Sequence, residues 1–203
     1  PAPDGVDLEV GGTVEDQGDA FGDLGTLLIL IVILVYIVMA TQFESLKFPF
    51  IIMFTIPFAF TGVFLALWMT STPLSLIALI GAIMLVGIVT KNGIVMVDYM
   101  NLLIERGSGV FDAVIAGGKS RLRPVLMTSF TTILGMLPLA IGTGAGSETW
   151  QPMGIAVIGG LTFSTILTLF IVPVLYSILV NRSQRKEREK LARLSAEHQA
   201  SKH

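Results

Sequence analysis

The chain lacks cysteine and has few charged residues. None of its 203 residues is Cys, and Asp, Glu, Lys and Arg together make up 14% of them, whereas hydrophobic residues make up 53%. The absence of Cys excludes a disulfide framework and any thiolate metal site. The scarcity of charge excludes an ordinary soluble domain, in which about a quarter of the residues are charged. The composition therefore predicts a membrane protein with several spans.

The chain also lacks the patterns of a membrane-targeting signal and of an enzyme. It begins at Pro1, and no basic segment followed by a signal-type apolar stretch is present. We therefore expect it to be a piece of a longer polypeptide. Its two histidines, His198 and His203, lie in the tail, and the sequence shows no phosphate-binding loop, zinc-type His pair or nucleophile with a base. We expect neither enzymatic activity nor a metal site.

Five apolar runs are long enough to cross a bilayer. They cover residues 24–40, 50–69, 74–99, 124–141 and 153–180. A helix rises about 1.5 Å per residue, against a hydrocarbon core of about 30 Å. Since lipid satisfies no backbone polar group, each run should be helical. The predicted fold class is an all-α membrane protein with a five-helix transmembrane bundle in residues 24–180.

The basic residues indicate the orientation of these spans. Residues 1–23 carry several acidic residues and no Lys or Arg, and the loops 69–74 and 142–151 carry no charge except Glu148. The loops 41–49 and 101–123 and the tail 181–203 carry all the basic residues except Lys91. Because cytoplasmic loops are enriched in Lys and Arg, the amino end is predicted outside and the carboxy end in the cytoplasm.

Two cytoplasmic segments have distinct patterns. A short helix is predicted over about residues 109–117, with Ser108 as its cap and Gly117 and Gly118 ending it. Its apolar residues, followed by basic ones, suit a helix in the cytoplasmic interface, and a simple linker is the alternative. The charge-dense tail 181–203 predicts a solvated end, partly helical or disordered, and no nucleic-acid site.

Lys91 lies well inside an apolar run, Leu76 to Met100. A charge at this depth costs roughly 2.5–3.5 kcal/mol on insertion scales, and such a residue is by default functional and has a partner. Asp98 is about 10 Å nearer the cytoplasm, too far for a direct pair, and no other apolar run contains an acid. We predict that the partner lies elsewhere in the polypeptide. The alternative is a lysine that snorkels, although Asn101 is about 15 Å away along the axis.

Other polar residues give weaker patterns. Asp98, near the inner boundary, suits a wetted acid or a helix-end salt bridge as well as a functional role. In the fourth run Arg121 and Arg123 precede Pro124, at a position where a first-turn proline would do no harm. Behind them Thr128 shares a face with Thr132 and Gly135. This face could form hydrogen bonds to a neighbouring helix or line a hydrated cavity, or it could serve only close packing.

Several motifs resemble those of the resistance-nodulation-division (RND) efflux transporters. Residues 87–94 (GIVTKNGI) with 97–99 (VDY) resemble their tenth transmembrane helix, and residues 121–129 (RLRPVLMTS) resemble the start of their eleventh. Residues 42–45 (QFES) resemble the sequence after their eighth helix. Residues 137–140 (LPLA), 159–160 (GG) and 172–174 (VPV) complete the match, which covers nearly the whole chain in order.

The resemblance implies that the spans are helices 8–12 of a twelve-span permease and that residues 1–23 end its second periplasmic porter loop. It implies proton-driven export by a homotrimer in the bacterial inner membrane, embedded in lipid and working with a periplasmic adaptor and an outer-membrane channel. No cofactor is implied beyond the proton gradient. Lys91 would pair with aspartates of the fourth helix, in the amino-terminal half of the polypeptide. Arg121 and Thr128 would belong to the same relay, with Asp98 and Asn92 as secondary candidates.

The resemblance also bears on the exported compounds. The pair Lys91-Asn92 is more similar to the branch that exports hydrophobic and amphiphilic compounds than to the heavy-metal branch. Two alternatives remain from other classes. One is a protein-export or lipid-export component of the same superfamily, and the other is a membrane scaffold that transports nothing.

Overall fold

The structure, a computed structural model, is helical throughout the residues that it describes, apart from short connections. These are residues 13–142, 144 and 146–200, with side chains described for 16–142, 144 and 146–182. The helices are α1 Thr13–Phe43, α2 Lys47–Met53, α3 Thr55–Met69, α4 Leu76–Glu105, α5 Val110–Ile141 and α6 Ser147–Ala200. The beginning of the predicted porter-loop segment, residues 1–12, and His203 lie outside the described residues. The side chains of most of the tail, including His198, also lie outside them.

The described chain contains five helical segments that are long and apolar enough to cross a membrane. They are Asp16–Phe43, Lys47–Met69, Leu76–Glu105, Val110–Ile141 and Ser147–Arg182. The predicted all-α, five-helix membrane fold is therefore confirmed. Each of the five helical segments extends past at least one end of its predicted apolar run. Helical hydrogen bonding does not depend on lipid, whereas the apolar run marks only the part that lipid can surround.

The second span is divided between α2 and α3 at Phe54. The cause is Pro57, which has no N–H to donate to the carbonyl of Met53. Nearby, the hydroxyl of Thr55 donates a hydrogen bond of 2.6 Å to the carbonyl of Ile52. The N–H of Phe54 still donates to the carbonyl of Phe50, so helical hydrogen bonding continues across this position. Helices α2 and α3 together form one span, Lys47–Met69.

Helix α5 differs from the prediction for its amino-terminal part. The short helix expected over about residues 109–117 does not end at Gly117 and Gly118 but continues to Ile141, and its N-cap is Gly109 rather than Ser108. Pro124 accordingly lies inside the helix and not in its first turn. Gly117 is buried where α5 crosses α4, and a Cβ added there would lie 2.7 Å from Cγ of Met100. This packing favours a helical Gly117 over its intrinsic tendency to end a helix.

Helix α6 is the centre of the bundle and packs against α3, α4 and α5. It approaches α3 closely, since a Cβ added to Gly159 would lie 2.1 Å from Cβ of Ala66. Small residues allow such an approach between membrane helices. Two apolar clusters follow one another along α4 and α6. The first cluster includes Val63, Leu85 and Leu161, and the second cluster includes Met100 and Tyr176.

Candidate functional site

Lys91 lies midway along α4, on a face that the described chain leaves exposed. Val89, on the buried side of α4, belongs to the first cluster, and Met96 belongs to the second cluster. Lys91 is therefore level with the boundary between the two clusters. Met84 and Asp98 are also exposed on α4. The structure thus places a charged side chain at mid-depth of the bundle, on a helix face open to other residues.

The residues next to Lys91 show which face of α4 is packed into the bundle. Asn92 and Gly93 are buried, and a Cβ added to Gly93 would lie 2.7 Å from Cγ2 of Ile52. Thr90 is also buried, and its hydroxyl donates a hydrogen bond of 2.5 Å to the carbonyl of Val86 within α4. Because the adjacent positions are packed into the bundle, the side chain of Lys91 is directed to the opposite side.

Lys91 lines a groove of about 280 Å³ between α1 and α4. The lining residues are Leu34, Val35, Val38, Met39, Gly87, Thr90, Lys91, Ile94 and Val95. Almost all of them are apolar. Within the described side chains, no carboxylate forms an ion pair with Lys91 and no group forms a hydrogen bond with it. The ammonium group is therefore the one charge in an apolar groove, which is consistent with the predicted partner in another part of the polypeptide.

Asp98 lines a separate polar pocket of about 270 Å³ near the end of α4. The pocket is formed by Gln42, Phe43, Glu44, Asp98, Asn101, Leu102 and Glu105. The buried Tyr176 of α6 donates a hydrogen bond to the side-chain carbonyl of Asn101. The ring of Phe48 stacks on Tyr176 with centroids 5.6 Å apart. Sequence reasoning named Asp98 and missed the other two carboxylates, because Glu44 and Glu105 lie outside the apolar runs.

Arg121 contacts α4 through an aromatic ring. Its Cζ lies 4.6 Å from the centroid of the Tyr99 ring, a cation–π distance. Its Nε is buried and has no hydrogen-bond partner among the described residues. Sequence reasoning included Tyr99 only as part of the motif at residues 97–99 and gave it no role. The sequence alone gives no signal for this contact, because it depends on which faces of α4 and α5 meet.

Thr128 forms its hydrogen bonds within α5. Its hydroxyl donates to the carbonyls of Pro124 at 2.9 Å and Val125 at 3.0 Å. The hydroxyl of Thr132 likewise donates to the carbonyl of Thr128 at 2.9 Å. Thr128 is exposed in the described chain, so it remains accessible to other residues. Its predicted role in the relay remains a prediction.

A hydrogen bond between two side chains that crosses from α5 to α6 involves Ser129. Its hydroxyl lies 2.9 Å from that of Thr165 on α6, and both residues are buried. Of the predicted site residues, Lys91, Asn92 and Asp98 share α4, whereas Arg121 and Thr128 share α5. The side chain of Arg121 contacts α4 at Tyr99, the residue after Asp98.

Comparison with known proteins finds relatives that match most of this chain. Swarming motility protein SwrC of Bacillus subtilis (strain 168) is 38% identical over 185 residues, which are 91% of this chain and 18% of that protein. Cobalt-zinc-cadmium resistance protein CzcA of Cupriavidus metallidurans is also 38% identical over 185 residues, 91% of this chain and 17% of that protein. Multidrug resistance protein MdtC of Erwinia tasmaniensis is 42% identical over 163 residues, 80% of this chain and 16% of that protein.

A solved structure of a heavy metal efflux pump matches with a TM-score of 0.76 and 32% identity, over 84% of this chain and 17% of that one. The chain thus spans less than a fifth of the length of the relatives that it matches. The AcrB/AcrD/AcrF family model matches residues 2–180. The chain is therefore a membrane protein of the AcrB/AcrD/AcrF family, and its resemblance to the RND efflux transporters is confirmed.

Proposed function

We propose that this chain carries the lysine half of a proton relay that drives efflux across the bacterial inner membrane. The observation that carries the proposal is Lys91, a charged residue at mid-depth of α4, exposed beside an apolar groove and without an ionic partner among the described side chains. Membership of the AcrB/AcrD/AcrF family supports an efflux role. An intramembrane charge of this kind marks an ion or substrate pathway by default.

The mechanism follows from the charge of Lys91. Aspartates on the fourth helix of the permease would hold the ammonium group while they are ionised. When a proton binds one of them, the carboxylate becomes neutral, the attraction weakens, and α4 can shift relative to the aspartate helix. Release of the proton on the other side restores the pair. A charge pair in a poorly hydrated site interacts much more strongly than in water, so protonation can change the populations of two packings.

The other site residues have supporting roles in this proposal. Arg121 lies on the part of α5 that precedes its apolar run, where a guanidinium can face the cytoplasmic proton exit. Thr128 lies two turns further along the helix, exposed, where it can hold water or form a hydrogen bond with the pair. Asp98 and Asn92 are secondary candidates, since Asp98 lines a different pocket and Asn92 is buried.

The proposal extends to orientation and partners. The amino end would be periplasmic and the carboxy end cytoplasmic, as the basic residues predict. The complete permease would be a homotrimer in the lipid bilayer, with a periplasmic adaptor and an outer-membrane channel. It would be a transporter and not an enzyme, and it would need no cofactor because the proton gradient supplies the energy. No nucleic-acid partner is proposed.

We propose hydrophobic and amphiphilic compounds as substrates, because of the pair Lys91-Asn92 and the identity to a multidrug resistance protein. Divalent metal cations are the second candidate. They are favoured by the identity to a cobalt-zinc-cadmium resistance protein and by the match to a heavy metal efflux pump. Growth of cells that express the complete transporter, in dyes and detergents or in Co²⁺, Zn²⁺ and Cd²⁺ salts, distinguishes the two.

The relay is tested by Lys91→Met in the complete transporter. Methionine has a similar length and no charge, so resistance should fall to the level of cells without the transporter, with normal amounts of protein in the membrane. The matched control is Lys119→Met, because Lys119 is an exposed lysine of α5 outside the apolar run. It should retain resistance. Full resistance in Lys91→Met cells at equal expression would end the proposal.

A further inference from the structure

The contact between Arg121 and Tyr99 connects the helix of Lys91 to the helix of Thr128. The guanidinium carbon lies 4.6 Å from the ring centroid, well within the distance of about 6 Å for an attractive cation–π contact. The two helices approach closely one turn from this point. Gly117 of α5 is buried against Met100 of α4, and a Cβ there would lie 2.7 Å from Cγ of Met100, so that either this side chain or the helices would have to shift. The glycine thus brings the ring and the guanidinium within reach of each other.

The ring is the contact that fixes the direction of the Arg121 side chain. Within the described side chains, no carboxylate pairs with this guanidinium and no acceptor binds its buried Nε. A flexible arginine with neither kind of partner would otherwise populate several rotamers, which costs positional precision. The face of an aromatic ring attracts the planar guanidinium and limits its motion. The orientation of the N–H donors of Arg121 therefore depends on Tyr99.

We propose that Tyr99 is a positioning residue of the transporter: its ring holds the Arg121 guanidinium and couples the position of α5 to that of the lysine helix α4. The inference rests on the proposed function, because it gives Arg121 its role there. When α4 moves in response to protonation of the aspartates that face Lys91, the ring moves with it. The guanidinium follows, so that the arginine at the cytoplasmic end changes position in step with the lysine.

Tyr99 holds Arg121 through its ring and not through its hydroxyl, since the described structure shows no hydrogen bond from this hydroxyl. Three variants of the complete transporter separate the two. Tyr99→Phe keeps the ring face and should retain most of the transport rate. Tyr99→Leu and Tyr99→Met remove the ring but preserve apolar volume, and each should lower the rate per molecule about two- to fivefold, as expected for loss of a partly exposed cation–π contact.

The measurement is the initial rate of proton-coupled substrate efflux between pH 5.5 and pH 8, in roughly half-unit steps, divided by the amount of transporter in the membrane. If Tyr99 only stabilises the fold, its substitution would change the amount of transporter in the membrane and leave the pH dependence of the efflux rate unaltered. A residue that positions Arg121 should shift the profile, because the N–H donors no longer face the proton path. The profile of Tyr99→Leu should resemble that of Arg121→Gln in direction, with a smaller change.

A double variant completes the test. If Tyr99 acts through Arg121, adding Tyr99→Leu to Arg121→Gln should cause no further loss, because the two changes remove the same contact. Equal rates and profiles for Tyr99→Leu, Tyr99→Met and the unchanged transporter would overturn the inference, as would additive losses in the double variant. If Arg121→Gln alone leaves coupled efflux intact, the proposed role of Arg121 in the relay fails, whatever the result for Tyr99.

Discussion

At the scale of single residues, the bond between Ser129 and Thr165 is a buried polar contact between two spans. Both hydroxyls are buried and 2.9 Å apart. We expect Ser129→Ala to lower the free energy of unfolding by about 0.6 kcal/mol, the average for such bonds in membrane helices. Thermal unfolding of the purified transporter in detergent measures this loss.

The control for Ser129→Ala is Thr131→Val. The hydroxyl of Thr131 is exposed and donates only to the carbonyl of Met127 in its own helix. This variant should change stability by less than Ser129→Ala does. The double variant Ser129→Ala with Thr165→Val then shows whether the two hydroxyls interact, since a direct bond makes their effects less than additive. Fully additive effects would contradict the bond.

Single residues also show how much of the candidate site the sequence could predict. Lys91 could be identified from the sequence, because a single charge within a long apolar run is visible without knowing how the helices pack. The role of Tyr99 could not be identified from the sequence, because its contact with Arg121 depends on which faces of α4 and α5 meet. The same holds for Ser129, whose hydroxyl forms a hydrogen bond to Thr165 of α6, whereas the hydroxyl of Thr132 forms one within its own helix.

At the scale of helices, the packing of α3 on α6 depends on glycine. A Cβ at position 159 would lie 2.1 Å from Cβ of Ala66 and 2.9 Å from the carbonyl oxygen of Gly62. Neither atom is at the end of a flexible side chain, so the helices must separate. We expect Gly159→Ala to lower the free energy of unfolding by about 1–3 kcal/mol, the usual effect of overpacking.

The matched control for Gly159→Ala is Gly18→Ala in α1. A Cβ added at Gly18 meets no atom within 4 Å, and the residue is exposed. Alanine there should leave the melting temperature unchanged or raise it slightly, because alanine favours a helix more than glycine does. Equal melting temperatures for the two variants would show that the close approach of α3 and α6 does not limit stability.

The prediction of a short helix that ends at Gly117 and Gly118 was wrong. Gly117 and Gly118 were expected to end a short helix, since glycine is a poor helix former. In the structure Gly117 is the close contact of α5 with Met100, so the same residue serves packing and the helix continues. The number of spans was predictable because bilayer thickness sets a coarse length requirement. The start of α5 was not, because it depends on contact with α4.

At the scale of the whole molecule, the buried and exposed faces divide the bundle into two parts. Helices α3, α4 and α6 bury much of their surface in two apolar clusters, whereas α1 and α5 remain largely exposed within the described chain. The exposed face of α4 carries Lys91, and the exposed face of α5 carries Thr128. The stable core of the bundle therefore lies beside the predicted relay and not around it, which leaves the relay residues accessible to further helices.

The orientation of the whole chain gives the last prediction. From the basic residues we predict that the loops between α1 and α2 and between α4 and α5 lie in the cytoplasm, and that the loops between α3 and α4 and between α5 and α6 lie outside. These 203 residues contain no Cys, so single cysteines are easily introduced here in a transporter that is otherwise free of cysteine. Ser71→Cys and Thr149→Cys lie at the predicted outer ends, and Ser108→Cys and Ser120→Cys at the predicted inner ends.

A thiol reagent that cannot cross the inner membrane should label the Ser71→Cys and Thr149→Cys variants in intact cells whose outer membrane is permeable to it. It should label the other two variants only after lysis. The physical reason is the energetic barrier that keeps basic loops on the cytoplasmic side during insertion. Labelling of both variants of one pair in intact cells, with none of the other pair, fixes the direction of all five spans. The reverse pattern would contradict the orientation and, with it, the cytoplasmic position of Arg121 on which its proposed role depends.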